Sequence, residues 1–204
     1  MAIQTIIGLK RLDFAKQRLM PQVSPPERRL LMLNMLRSVV AAAHAADLGS
    51  VALVTSEPTA TALAVELDVA ILSDGDLPWN QGLVHGLALL LRPPARVLYL
   101  AGDLPLVTAA ELRQFVAAAP PQGVCIARAR DAGTNALLVT PSDALHPLFG
   151  TPRSSEAHEA AAQAARLSCH VVDIPGLALD VDTAEDAREA GLLAHPLPKK
   201  VVLR

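Results

Sequence analysis

Short runs rich in β-branched residues alternate along this chain with longer stretches whose apolar positions recur at helical spacing. Ile3 to Leu9 predicts a first strand, in which Gly8 permits close backbone approach. Ser24-Pro25-Pro26-Glu27 reads as a helix start: a cap residue, prolines in the first turn and an early acid. Leu30, Leu31, Leu33, Met35, Leu36, Val39 and Val40 give that helix a broad apolar stripe, and Gly49 ends it. Strands follow at 51–55, 69–72 and 97–100, with helices at 59–67 and 79–91 between them. Thr108-Ala109-Ala110-Glu111 is a capping-box opening to a further helix. Such alternation predicts βαβ units and an α/β fold with a three-layer, doubly wound, mostly parallel sheet.

After Gly123 the rhythm changes. Val124 to Arg128 and Ala136 to Thr140 are two strand candidates joined by the turn-rich Asp131-Ala132-Gly133-Thr134-Asn135, which predicts a hairpin or a small antiparallel excursion. A helix over 154–165, a strand over 169–174 and a last helix over 183–193, capped by Thr183 with Asp186 three residues on, complete the pattern. One domain over 1–194 is expected, with a peripheral tail at 195–204.

Hydrophobic residues make up 51% of the 204 and aromatics only 2%, so the core must be built from Ala, Leu, Val and Ile. A formal charge of −2 argues against nucleic acid as a partner. No secretory leader opens the sequence and no apolar stretch reaches membrane-spanning length, which points to a cytoplasmic protein with no membrane partner. Cys125 and Cys169, 44 residues apart in apolar contexts, fit neither a disulfide framework nor a zinc site and read as small buried hydrophobes. The long aliphatic helices suit packing within one chain or across a homodimer.

The apolar run at 97–100 ends abruptly in Ala101-Gly102-Asp103, delivering Asp103 to the C-terminal end of a buried parallel strand, where open α/β sheets bind ligands. A turn or helix-capping aspartate is the plainer reading of that residue alone. Asp180 and Asp182 alter the balance, because their spacing lets both face one way in an extended segment. Three oxygen donors from separated segments suit Mg²⁺, which accepts few protein carboxylates and fills its remaining positions with water and substrate phosphates. The loop after the first strand carries Lys10, Arg11, Lys16 and Arg18, enough charge to neutralise a triphosphate and the pyrophosphate it becomes. There is no Walker A motif and no G-x-G-x-x-G. The histidines lack metal-ligand spacing; His158 stands apart because it shares a segment with Arg153 and Ser154.

Several motifs occur together in one order: Lys-x(4)-Ala-Lys-x-Arg-Leu at 10–19, Asn80, Gly-Asp-Leu-Pro at 102–105, Gly-Thr-Asn-Ala-Leu at 133–137, Phe-Gly at 149–150, Ser-x(3)-His at 154–158 and Asp-Val-Asp-Thr-x-Glu-Asp at 180–186. In this combination the chain resembles the 2-phospho-L-lactate guanylyltransferase family of deazaflavin coenzyme F-420 biosynthesis, within the glycosyltransferase-A-like nucleotidyltransferases. The resemblance implies a nucleotide-diphospho-sugar transferase-like fold and a GTP-dependent enzyme joining GMP to a small phosphorylated acid (2-phospholactate, phosphoenolpyruvate or 3-phosphoglycerate) with release of pyrophosphate. Carried over by motif, it implies Mg²⁺ on Asp103, Asp180 and Asp182. Lys16 and Arg18 would bind the nucleotide phosphates and serve catalysis with Asp103; Lys10 would stand beside them, and Asn80 near the guanosine. Thr134, Gly150 and Ser154 would contact the acceptor, with Arg153 in the gap as a further cation for an anionic group. Two alternatives stay open at this point. One is a molybdenum-cofactor or sugar-phosphate nucleotidyltransferase, whose relatives usually open on a Gly-rich loop where this chain reads Ile-Ile-Gly-Leu-Lys. The other is a non-catalytic nucleotide-binding module on the same fold.

Overall fold

The computed structural model describes residues 2–193 apart from 21 and 152, so the tail expected at 195–204 lies outside the described residues. In chain order the elements are β1 (Gln4–Gly8), α1 (Pro25–Ala46), β2 (Val51–Val54), α2 (Ala60–Leu67), β3 (Ala70–Leu72), α3 (Trp79–Ala88), β4 (Val97–Leu100) and α4 (Ala109–Ala117). They continue with β5 (Gly123–Arg128), β6 (Thr134–Thr140), α5 (Ser154–Ala164), β7 (Cys169–Val172), α6 (Pro175–Ala178) and α7 (Ala184–Glu189). All seven strands form one sheet in the order β3-β2-β1-β4-β6-β5-β7.

The sheet is mostly parallel, and β1 lies near its centre with Ile7 in register with both Leu53 and Leu100. The exception is β6, antiparallel to β4 on one side and to β5 on the other. The antiparallel hairpin expected between 124 and 140 is present as β5–β6. Its second strand, β6, is inserted into the main sheet, and running backwards it brings its first residues, Thr134 and Asn135, to the edge where the parallel strands end.

Strand alternation sorts the core into two layers. Ile7, Leu53, Leu98, Leu100 and Cys125 pack with α1, α4 and α6 on one face, while Ile6, Val54, Val97, Tyr99 and Ile126 pack with Leu83 of α3 and Ala162 of α5 on the other. Each face holds one fully buried six-membered ring among its aliphatics, Phe115 on the first and Tyr99 on the second. Cys125 is buried as expected, whereas Cys169 on β7 is only half-buried.

Helix ends follow the sequence signals. Ser24 N–H donates to Glu27 Oε2 at 2.8 Å at the start of α1, and Thr108 and Glu111 exchange bonds at 3.0 and 3.2 Å at the start of α4. Glu111 also reaches further: its other carboxylate oxygen accepts from Gly176 N–H at 2.8 Å, tying α6 to α4 just upstream of Asp180. The last helix is shorter than the sequence predicts, ending at Glu189 rather than near 193. Leu192 and Leu193 instead turn back, both amides donating to the Ala187 carbonyl. Among the described residues no helix is long and apolar enough to cross a membrane.

Phe115→Ala should cost about 3–5 kcal/mol, because the small aliphatic side chains around it cannot refill a ring-sized void. Urea unfolding monitored by far-ultraviolet circular dichroism measures this, and Phe115→Leu should recover most of the loss.

Candidate active site

The basic loop is held far more tightly than a solvated loop would be. It contains two 3-10 turns, Leu12–Phe14 and Gln17–Leu19. Leu12 N–H donates to Glu57 Oε2 at 2.8 Å, and Thr55 Oγ1 donates to the Leu9 carbonyl at 2.6 Å. Burial works to raise the Glu57 pKa, but bonds from Thr59 and the Leu12 amide and the charge of Arg29 hold it below the ordinary carboxylate value. From the other side the buried Arg28 donates to the carbonyls of Ala15 and Val23 at 3.3 and 3.0 Å. Between these braces Lys16 takes a left-handed conformation, φ 52°.

Lys16 thereby reaches the acidic residues. Its ammonium bonds to Asp103 Oδ2 and, at 3.1 Å, to Asp182 Oδ1, while Arg18 Nη1 lies 2.8 Å from Asp182 Oδ2. Burial acts to lower the Lys16 pKa, yet the two carboxylates outweigh it and the net shift is upward. Asp103 follows β4, and the two late aspartates lie between α6 and α7. What joins them is main chain: Val181 N–H bonds the Asp103 carbonyl at 3.3 Å, and the Val181 side chain is fully buried. With Val181 pointing inward, Asp180 and Asp182 both turn to the cleft. One oxygen from each of Asp103, Asp180 and Asp182 lies within 4.8 Å of the others. Opposite ligands on an octahedral Mg²⁺ stand about 4.2 Å apart, twice the ~2.1 Å bond, so an all-oxygen set of this size fits such an ion after small rotations.

Asn135 Nδ2 donates to Asp180 Oδ1 at 3.2 Å while also bonding the Leu177 carbonyl at 2.9 Å. Burial, with the charge of Asp103 next, pushes the Asp180 pKa up to about 6, against the Asn135 bond that favours the carboxylate.

The acceptor residues expected from the sequence also come together. Ser154, the first residue of α5, donates from Oγ to Thr134 Oγ1 at 3.2 Å. Gly150 adopts φ +77° with open space where a Cβ would project, leaving the backbone accessible from the cleft. Arg153 lines the same cleft, but its guanidinium pairs with Glu156. Asn80 does something the sequence did not suggest: its amide makes a two-way bond with the main chain of Phe149, 2.9 Å to N–H and 3.0 Å to C=O. Next to it, Trp79 lies close against Gly8, where an added Cβ would sit 2.3 Å from the ring, and Lys10 Nζ stands 4.9 Å above that ring. Loop, acids and acceptor residues line one cleft of about 760 Å³, a size suited to two small anionic substrates.

Sequence reasoning missed Glu57, Arg28 and Asn135. Asn135 alone had a visible signal, its place beside Thr134 in a recognisable motif; the other two act through partners that local sequence does not reveal.

A cleft at the strand ends of such a sheet, in which acids and cations meet, is the kind of site a nucleotidyltransferase has. The family model described as "Guanylyl transferase CofC like" matches residues 3–199. Phosphoenolpyruvate guanylyltransferase of Sphaerobacter thermophilus is 36% identical over 187 residues, covering 90% of each chain. The Mycobacterium ulcerans protein of the same name is 35% identical over 205 residues, covering 97% of this chain and 92% of its own. In fold, a protein of Desulfovibrio desulfuricans G20 assigned as a nucleotide-diphospho-sugar transferase superposes with a TM-score of 0.74 at 14% identity, over 90% of this chain and 84% of the other. The chain belongs to the CofC-like guanylyl transferase family, and it is a guanylyltransferase.

Two outcomes follow from the acid cluster. Lys16→Met removes the cation set between Asp103 and Asp182; the metal-free protein should lose about 3 kcal/mol and several degrees of Tm, and the Tm rise on adding Mg²⁺ should grow. Differential scanning calorimetry with and without Mg²⁺ reads both. The raised Asp180 pKa means the folded state binds that proton more tightly than the unfolded chain, so its stabilising share is full below pH 3.8 and is lost as pH rises to about 6. Asp180→Asn should flatten that part of the stability profile, followed by urea titrations between pH 3.5 and roughly 7 in a chelator.

Proposed function

We propose that the enzyme transfers GMP from GTP to the phosphate of phosphoenolpyruvate, with release of pyrophosphate, as a step of deazaflavin coenzyme F-420 biosynthesis; 2-phospholactate and 3-phosphoglycerate are the competing acceptors. The observation that carries this reading is the meeting, in one cleft, of three converging carboxylates, a braced pair of cations and a separate wall of hydroxyl and backbone donors. The names borne by the Sphaerobacter and Mycobacterium relatives support the choice of acceptor.

In the reaction an acceptor phosphate oxygen attacks the α-phosphorus of GTP, the bond from that phosphorus to the bridging oxygen breaks, and pyrophosphate leaves. The attacking oxygen is ionised at neutral pH, so no general base is required; positioning and charge neutralisation suffice. Asp103, Asp180 and Asp182 would hold Mg²⁺, which when bound supplies charge neutralisation to the nucleotide phosphates. Lys16 and Arg18, now paired with Asp103 and Asp182, are the cations nearest the leaving pyrophosphate, and Lys10 adds charge at the nucleotide end. Thr134 and Ser154 offer hydroxyls, and Gly150 its open main chain, to the acceptor's anionic groups. Asn80 would stand near the guanosine; because its amide is engaged by the Phe149 main chain, it would also tie that side of the cleft to the acceptor wall.

A pyrophosphate-release assay with Mg²⁺, each of the four nucleoside triphosphates and a panel of phospho-acids tests this, with mass detection of the product. GTP with phosphoenolpyruvate should give the highest kcat/KM. Asp103→Asn should lower kcat about a hundredfold or more while circular dichroism stays unchanged; near-native turnover in that variant would remove the metal-binding role.

A further inference from the structure

His158 carries a sequence signal that the reaction scheme leaves unused. It lies one helical turn beyond Ser154 and is 0% exposed, so it touches neither the cleft nor any substrate. Both of its ring nitrogens are nevertheless engaged with residues that form the acceptor wall. Leu148 N–H donates to Nε2 at 2.8 Å, and Nδ1 lies 3.0 Å from Thr134 Oγ1. The ring also packs edge-on against Phe149, with centroids 5.4 Å apart.

These bonds decide the tautomer. A main-chain N–H can only donate, so Nε2 must be the bare, accepting nitrogen, and in a neutral imidazole the proton is then on Nδ1. Burial keeps the ring neutral by driving its pKa down to about 4, against a main-chain bond at Ser154 that favours the charged form. Nδ1–H therefore donates to Thr134 Oγ1, which also accepts from Ser154 Oγ. A hydroxyl oxygen has two acceptor positions and one proton. With both acceptor positions filled from inside the protein, Thr134 has only its proton to offer the cleft.

We propose that His158 is a positioning residue for acceptor selection: its Nδ1–H turns the Thr134 hydroxyl into an obligate donor to an anionic oxygen of the phospho-acid, and its Nε2 fixes the Leu148–Gly150 segment beside it. This rests on the acceptor role proposed for Thr134. The arrangement favours a carboxylate or phosphate oxygen at that point and rejects a hydroxyl or ammonium group that needs an acceptor.

Two substitutions separate the two bonds. Asparagine places a donor where Nδ1 stands, and glutamine places an acceptor where Nε2 stands. His158→Gln should raise KM for phosphoenolpyruvate about tenfold or more and leave KM for GTP within about twofold. His158→Asn should recover most of that loss. In a Thr134→Val background His158→Gln should add little further to the KM for phosphoenolpyruvate, because the hydroxyl that its lost Nδ1–H bond oriented is already gone. Nitrogen-15 correlation spectra of the histidine rings in the unmodified protein give a reading independent of how the variants fold, and should show a neutral His158 protonated on Nδ1 at pH 7.

An Nε2-protonated or charged ring overturns the proposal. So do equal changes in both KM values, or effects of His158 and Thr134 that simply add. If the unmodified enzyme turns over phospho-acids normally while these variants behave alike, only the role of His158 falls. If it turns over none of them, the acceptor reading falls and takes this role with it.

Discussion

Three carboxylates drawn to within 4.8 Å of one another set the central problem of this structure. At an effective dielectric near 20, two such charges 4.8 Å apart repel by about 3.5 kcal/mol, and less where solvent screens Asp182, whose side chain is 41% exposed. Lys16 offsets part of that repulsion and a raised Asp180 pKa relieves another part, but one buried ammonium cannot neutralise three negative charges. The cluster is held together against its own field by hydrogen bonds and burial: the Val181 anchor, the Asn135 bond and the braces on the basic loop. The Mg²⁺ proposed for this site would relieve that repulsion.

The sheet supplies the platform. Parallel strands β1 and β4 deliver the basic loop and Asp103 to one edge, as doubly wound sheets do. The reversed β6 then adds its own beginning to that edge, with Ala101 N–H bonded to the Asn135 carbonyl. Seven strands in one sheet thus present both strand ends and a strand start to the same cleft, and three kinds of chemical group reach it without long loops.

Much of this was legible in the residues. Asp103 was visible because an apolar run stopped at a carboxylate, and the late aspartates because their spacing places them on one side. The helix starts at Ser24, Thr108 and Thr183 were visible because capping is local chemistry. What was hidden depends on partners remote in sequence. Periodicity does not encode neighbour order, so the hairpin was visible but the place of β6 between β4 and β5 was not. Glu57 carries no local signal, since its partner Leu12 is 45 residues away. The double bond of Asn80 to Phe149 spans 69 residues. The final helix was overextended because 190–193 continue its apolar rhythm while their amides close a turn on Ala187.

Thr134 and Asn135 are consecutive, yet one serves the acceptor wall and the other orients Asp180. On the roles proposed above, a single peptide unit couples the choice of acceptor to the placing of Asp180. Drift toward a new acceptor has little freedom at this dipeptide, where any backbone adjustment would also misalign a carboxylate. Gly150, by contrast, has open space where a Cβ would project. On the roles proposed here, a change at that point would alter the acceptor wall and leave the three carboxylates where they stand.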